Sequence, residues 1–123
     1  MTPRAEPPSV DDFLPLRPVE ALVLTMLSSG ERHGYGVRQD ILDHSGGRIE
    51  LEAGSLYRYI RRLEADGLIE AAAARRTARD DDPRRIYYRL TPLGRRVLAA
   101  EMTRLRELVR LAEARQIIGP APA

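Results

Sequence analysis

The chain has 123 residues, 43% of them apolar, and a net charge of only +2, enough for one small core and too little for two comfortable domains. All 20 residues counted as Lys or Arg are arginine and there is no cysteine, which excludes disulfides, thiolate metal sites and cysteine nucleophiles. No run reaches the roughly 18–20 apolar residues of a membrane span, and Glu and Pro stand where a signal peptide would have its apolar core, so a cytoplasmic protein without a membrane partner is expected. With so small a net charge, any nucleic-acid reading rests on where the arginines lie; they cluster at 58–62, 75–85 and 95–96.

Residues 1–12 combine Pro, Ser and Asp with almost nothing to bury and read as a loosely attached arm, with Phe13, Leu14 and Leu16 available to anchor its end. Pro18 suits the first turn of a helix, where its missing N–H is no loss, and Val19, Leu22, Val23, Met26 and Leu27 recur at helical spacing up to Gly30. Tyr35, Val37, Ile41 and Leu42 outline a second helix closed by Gly46-Gly47. His33 and His44 have no Cys or carboxylate partner at metal-ligand spacing and read as helix-end residues; Gly34 and Gly36 follow no strand and precede no Lys, so they read as tight packing rather than a phosphate loop. No metal or cofactor is implied.

A third helix runs from near Ala53 to Asp66-Gly67. At about 100° per residue, Leu56, Ile60 and Leu63 share one narrow sector with Tyr59 beside it, which is the buried face. Gly54, Arg58, Arg61 and Ala65 lie opposite, Ser55 and Arg62 on one shoulder and Tyr57 on the border of the other. Small residues permit close approach to a major groove, and arginine supplies paired donors for guanine edges and phosphates. Ser55, Arg58, Arg61 and Arg62 are therefore the candidate DNA contacts; Tyr57, a border aromatic, can pack on the hairpin and still offer its hydroxyl to a phosphate.

After Gly67 the period changes. Residues 68–74 are apolar and alanine-rich and read as a strand from their position, whereas Arg84-Arg-Ile-Tyr-Tyr-Arg-Leu90 combines β-branched and aromatic residues in a stronger one. The polar stretch 75–83 between them makes a β-hairpin with a long charged tip. Arg84 and Arg85, near the strand, are favoured DNA contacts over Arg75, Arg76 and Arg79, because Asp80, Asp81 and Asp82 at the tip would repel phosphates. Tyr87 and Tyr88 point to opposite sides of a regular strand, one toward the core. Thr91 and Pro92 then start a long helix, in which Leu98, Met102, Leu105, Val109 and Ala112 step by four, three, four and three, a heptad seam widened by Leu108 and Leu111. One helix cannot bury that seam alone, so a second copy is the expected partner.

The fold class is thus mainly α with a small β-hairpin: a winged helix-turn-helix over 13–90, a C-terminal dimerisation helix over 91–118 and a flexible tail over 119–123. No catalytic Ser/His/Asp grouping occurs at useful spacing and the carboxylates are scattered, so an enzyme is not expected. Double-stranded DNA is the expected ligand; the rival is a winged-helix protein–protein module using the same third helix.

His33-Gly-Tyr-Gly-Val, Gly54-Ser-Leu-Tyr, Leu63-Glu-Ala-Asp-Gly-Leu-Ile and Arg85-Ile-Tyr-Tyr-Arg-Leu-Thr-Pro-Leu-Gly94, in this order and spacing, resemble the PadR family of bacterial transcriptional regulators, over about residues 17–112. The single C-terminal helix is similar to the smaller PadR subgroup. The resemblance implies a homodimeric repressor with its third helix in the major groove, its wing near the minor groove or backbone, and its C-terminal helices packed across the two-fold axis on Leu98, Met102, Leu105, Leu108, Val109 and Ala112. It also implies a small-molecule effector, whose chemistry no residue here names. Many members have Pro after the Leu-Tyr pair; this chain has Arg58, a further cation for a phosphate or base.

Overall fold

In the computed structural model, which describes residues 8–72, 86–120 and 122, Pro18 opens the first helix, α1 (Pro18–Met26), and the Glu20 carboxylate accepts the free backbone N–H of Arg17 at 3.1 Å, satisfying a donor that the helix itself leaves orphaned. A short strand β1 (Arg32–His33) leads directly into α2 (Gly34–His44). The His33 ring caps α2, its Nδ1 accepting the Gly36 N–H at 2.9 Å. Helix α3 (Ala53–Ala65) packs on both α1 and α2. Beyond its C-cap Asp66, Gly67 takes φ +77°, and the N–H groups of Gly67 and Leu68 return to the carbonyls of Glu64 and Leu63 at 3.0 and 2.9 Å, the closure for which glycine is suited.

Strands β2 (Ile69–Ala71) and β3 (Tyr87–Leu90) are antiparallel, with Ile69 opposite Leu90, Glu70 opposite Arg89 and Ala71 opposite Tyr88. Strand β1 pairs with the other edge of β3, Arg32 opposite Tyr88 and His33 opposite Tyr87, so the sheet order is β1-β3-β2. The hairpin expected from sequence is therefore part of a three-stranded sheet. Two residues are too few for alternation to show in the sequence, so β1 leaves no local signal. The hairpin tip, with Arg75, Arg76, Arg79, Asp80, Asp81, Asp82, Arg84 and Arg85, lies outside the described residues.

The core joins Val23, Leu24 and Leu27 of α1 and its end, Val37 and Ile41 of α2, Leu56, Ile60 and Leu63 of α3, Leu68, Ile69 and Tyr88 of the sheet region, and Val97 of α4 (Pro92–Ala114). Helix α4 starts on a dense junction. Thr91 Oγ1 accepts the Gly94 N–H at 3.0 Å and donates to the Gly67 carbonyl, while the Thr91 N–H donates to the Leu68 carbonyl at 3.1 Å.

Two boundaries differ from the sequence expectation. Val10–Phe13, most of which composition assigned to the loose arm, form a one-turn 3₁₀ helix packed on α4, with Ser9 and Asp12 capping each other. The arm loses its independence there because Val10, Phe13 and Leu14 find apolar partners at the core's edge. At the other end α4 stops at Ala114 rather than continuing to 118. Gln116 adopts φ 60° and the Ile117 N–H bonds back to the Ala112 carbonyl at 2.9 Å, a closure that normally announces itself by glycine and here does not.

Candidate nucleic-acid interface

Helix α3 presents the two faces that its periodicity predicts. Leu56, Ile60 and Leu63 are fully buried, whereas Gly54, Arg58, Arg61 and Ala65 are exposed opposite them. Tyr59 is half-buried on the margin between the faces. Because burial of the apolar stripe fixes the helix's rotation, the arginines are aimed outward by the core rather than by contacts of their own.

Charge pairing separates these arginines from several others. Arg32 is held by Asp40 through two bonds of 2.8 and 2.9 Å, Arg89 bridges Glu70 at 2.9 Å and Glu31 at 3.9 Å, and Arg110 pairs with Glu107. Among the described residues, Arg58, Arg61 and Arg62 have no such ion pair. Arg58 instead donates to Ser55 Oγ at 3.2 Å, which places two of the expected contact residues side by side. A guanidinium without a carboxylate partner keeps its donors for an external anion or base edge.

The two flanks of α3 differ in surroundings. On one, the Tyr57 ring lies against the start of α2, so close that a β-carbon at Gly34 would meet its Cε1 and hydroxyl oxygen at 3.1 Å. Tyr57 thus packs on the start of α2, where the sequence pointed to the hairpin, and stays 41% exposed. Arg61 and Glu64 are close enough to Tyr88 to act on its hydroxyl: burial pushes that hydroxyl above the usual phenolic range, the Glu64 carboxylate adds to the rise, and Arg61 opposes it. On the other flank, Ser55, Arg58, Tyr59 and Arg62 line an open groove with Arg17, the residue immediately before α1. Arg17 carried no signal in the sequence, since it belongs to no periodic pattern; only the packing of α1 on α3 brings it there.

Tyr88 is the core member of the tyrosine pair and Tyr87 faces His33, edge to face at 5.4 Å. His33, already the α2 cap, also stacks near Tyr35 at 6.3 Å. Among the described residues no group of His, Asp and Glu is arranged to hold a metal ion, and no helix is long and apolar enough to cross a membrane.

The residues expected at a dimer interface divide along α4. Leu98 is only 8% exposed and belongs to the chain's own core, whereas Met102, Leu108 and Val109 are exposed and Leu105 and Ala112 are half-buried. Beside them an apolar groove of about 370 Å³ runs between α1 and α4, lined by Leu16, Pro18, Ala21, Leu22, Met102 and Leu105 among others. Glu101, 2% exposed, borders this groove with its carboxylate held by two bonds from Arg104 at 2.6 and 3.1 Å.

Three short helices, the third with an outward arginine face, a small sheet and a projecting fourth helix have counterparts in known proteins. The model of the transcriptional regulator PadR-like family matches residues 23–100. Transcriptional regulator Rv3488 of Mycobacterium tuberculosis is 35% identical over 88 residues, covering 72% of this chain and 76% of that one. A solved PadR family transcriptional regulator from Eggerthella lenta is 29% identical with a TM-score of 0.64, over 82% of this chain and 83% of that one. One from Clostridium difficile shares the fold at 22% identity and TM-score 0.65, over 82% and 98%. The chain belongs to the PadR-like family of DNA-binding transcriptional regulators, not to a class of enzymes.

Proposed function

We propose that the protein is a homodimeric repressor that places α3 of each protomer in successive major grooves of a pseudo-palindromic operator. The observation that carries this reading is the outward face of α3, where Arg58, Arg61 and Arg62 stand without ion pairs among the described residues above a fully buried Leu56–Ile60–Leu63 stripe. Ser55 and Arg58, joined by their hydrogen bond, act at the start of the helix, and Arg61 one turn further on; Tyr57 offers its hydroxyl from the α2 side. Arg84 and Arg85 join them from the wing as contacts to phosphate or minor groove.

Dimerisation through α4 supports the two-fold arrangement, which sets half-sites about one helical turn apart. The apolar residues left uncovered from Met102 to Leu111, continuous with the α1–α4 groove, are the surface a second copy would cover. Bound near a promoter, such a dimer occludes polymerase. The groove's lining specifies no effector chemistry, so the proposal is of a repressor alone.

Selection of bound duplexes from a random pool, followed by affinity measurements on the selected operator, tests the reading. Arg61→Ala is expected to weaken operator binding by roughly 1–3 kcal/mol while leaving an unrelated duplex nearly unaffected, the signature of base readout. Operator affinity unchanged in both Arg58→Ala and Arg61→Ala would remove α3 from the interface. A salt titration separates DNA binding from the protein-docking alternative, because each neutralised phosphate contributes about −0.9 to the logarithmic slope.

A further inference from the structure

The groove between the N-terminus of α1 and the flank of α3 has a volume of about 430 Å³. Its floor is apolar, from Val19 and Leu51, and its rim carries Arg17, Arg58 and Arg62 with the hydroxyl-bearing Ser55 and Tyr59. Among the described residues no carboxylate lines it. Glu20, on the adjoining turn of α1, is 8% exposed and occupied with the Arg17 backbone N–H; Glu52, at the N-cap of α3, is exposed outside the lining. None of the three arginines has an ion pair among the described residues. Three arginines, one just before α1 and two on α3, line one concavity, and their like charges favour the entry of an anion.

The geometry of a duplex says which anion. A B-form major groove is about 12 Å wide and a helix with its side chains about 10–12 Å across, so a helix seated in it meets phosphates along both flanks. On α3 one flank carries Tyr57 toward α2, and the other carries Ser55 and Arg62 toward Arg17. Arg58 belongs both to the outward face and to the groove's lining, so the groove opens where a backbone would run. A free phosphate in so open a concavity would be screened at physiological salt, whereas one carried by a duplex is held in place by α3.

Resting on the DNA-binding reading above, we propose that Arg17, Arg58 and Arg62 clamp a backbone phosphate at the edge of the major groove. Arg17 is then a DNA-contacting residue outside the recognition helix. Arg58 works on both sides of it, its donors divided between the phosphate and the base edges, while Arg17 and Arg62 carry no sequence information and set the depth and tilt of α3.

The test measures affinity for the selected operator and for an unrelated duplex across a range of salt, in the full-length protein and in Arg17→Ala, Arg17→Lys and Arg61→Ala. Arg17 is exposed, and thermal melts verify that its variants fold as the parent does. Arg17→Ala, which takes one of three guanidinium groups from each of the dimer's two clamps, is expected to lower the logarithmic salt slope, by at most about 1.8 (about 0.9 for each phosphate fully released), and to weaken both duplexes alike, by up to about thirtyfold at about 150 mM salt, with Arg17→Lys restoring most of the slope. If Arg61→Ala weakens the operator while Arg17→Ala leaves affinity and slope unchanged, the clamp is overturned and the DNA reading stands; if the protein prefers no duplex at all, the DNA reading itself has failed and the clamp with it. Inorganic pyrophosphate, titrated without DNA and followed by the arginine Nε–H resonances, distinguishes the other source of phosphate. Saturation that Arg17→Ala abolishes, with an unchanged DNA salt slope, would make the groove a small-anion site and overturn the assignment.

Discussion

Tyr88 concentrates several forces in one side chain. Its ring is 6% exposed between the sheet and α3, where Glu64 acts with burial to resist ionisation of the hydroxyl and Arg61 acts against them. Because the phenol's pKa is raised in the folded state, the stabilisation this brings is complete below the unfolded value near 10 and is lost as pH rises through the folded value. Thermal melts from pH 8 to 11.5 are therefore expected to show a steeper alkaline loss in the parent protein than in Tyr88→Phe. Equal slopes would mean that Tyr88 ionises as freely in the fold as outside it. At this scale the sequence was informative wherever periodicity could act: Leu56, Ile60 and Leu63 against Arg58 and Arg61, or Tyr88 against Tyr87. It was silent about Arg17, because residues 38 apart that line one groove, as Arg17 and Ser55 do, leave no trace in local spacing, and about the Arg32–Asp40 pair, which joins a strand too short to show a period to the next helix.

Between elements, the start of α4 lies hard against Leu68, the residue just before β2. A β-carbon at Gly94 would lie 1.9 Å from the Leu68 carbonyl oxygen, an atom of the backbone that cannot turn aside. The same carbonyl accepts from Thr91 N–H, and the Thr91 hydroxyl links the end of α3 to the start of α4. Gly94→Ala must push α4 off the sheet or break this set of bonds, and denaturant unfolding is expected to show a loss of about 1–3 kcal/mol or more. A variant as stable as the parent would show that the junction relaxes without cost. Elements were legible in proportion to their length. The long periodic helices stood out at once, with start signals such as Pro18 and Thr91-Pro92, whereas β1 is two residues long and owes its existence to β3. The end of α4 was misplaced because Gln116 performs a turn that glycine usually marks.

For the whole molecule, the decisive surface is the one that the single chain leaves unfinished. Leu98 is covered by the protomer's own core, so the heptad seam begins to be available only from Met102 onward, and α1 contributes the opposite wall of the groove. Leu105 stands at the meeting of that groove and the exposed stripe. In a dimer joined there, Leu105→Asp buries a charge without a partner, which costs roughly 3–5 kcal/mol and weakens association by about two to three orders of magnitude or more. Sedimentation at micromolar concentration is expected to find the parent dimeric and the variant monomeric, with most operator affinity lost alongside. A variant that stays dimeric would move the interface away from α4. The sequence pointed to this surface through its heptad, but the share of α1 in it was out of reach, since it depends on how two helices 75 or so residues apart come to lie together.

The two-residue strand β1 has a bearing on how the molecule meets its target. It is covalently continuous with α2, whose start cradles Tyr57 of α3, and it is stitched to β3, the root of the wing, both by its ladder and by Arg89 reaching Glu31 and Glu70. Wing root and α3 are thereby held at one angle by contacts within the chain. Association then demands little further ordering of these parts, and a duplex whose grooves do not match that angle must itself bend or twist to be held. Docked as proposed, the protein would select for the deformability of DNA at base pairs it never touches.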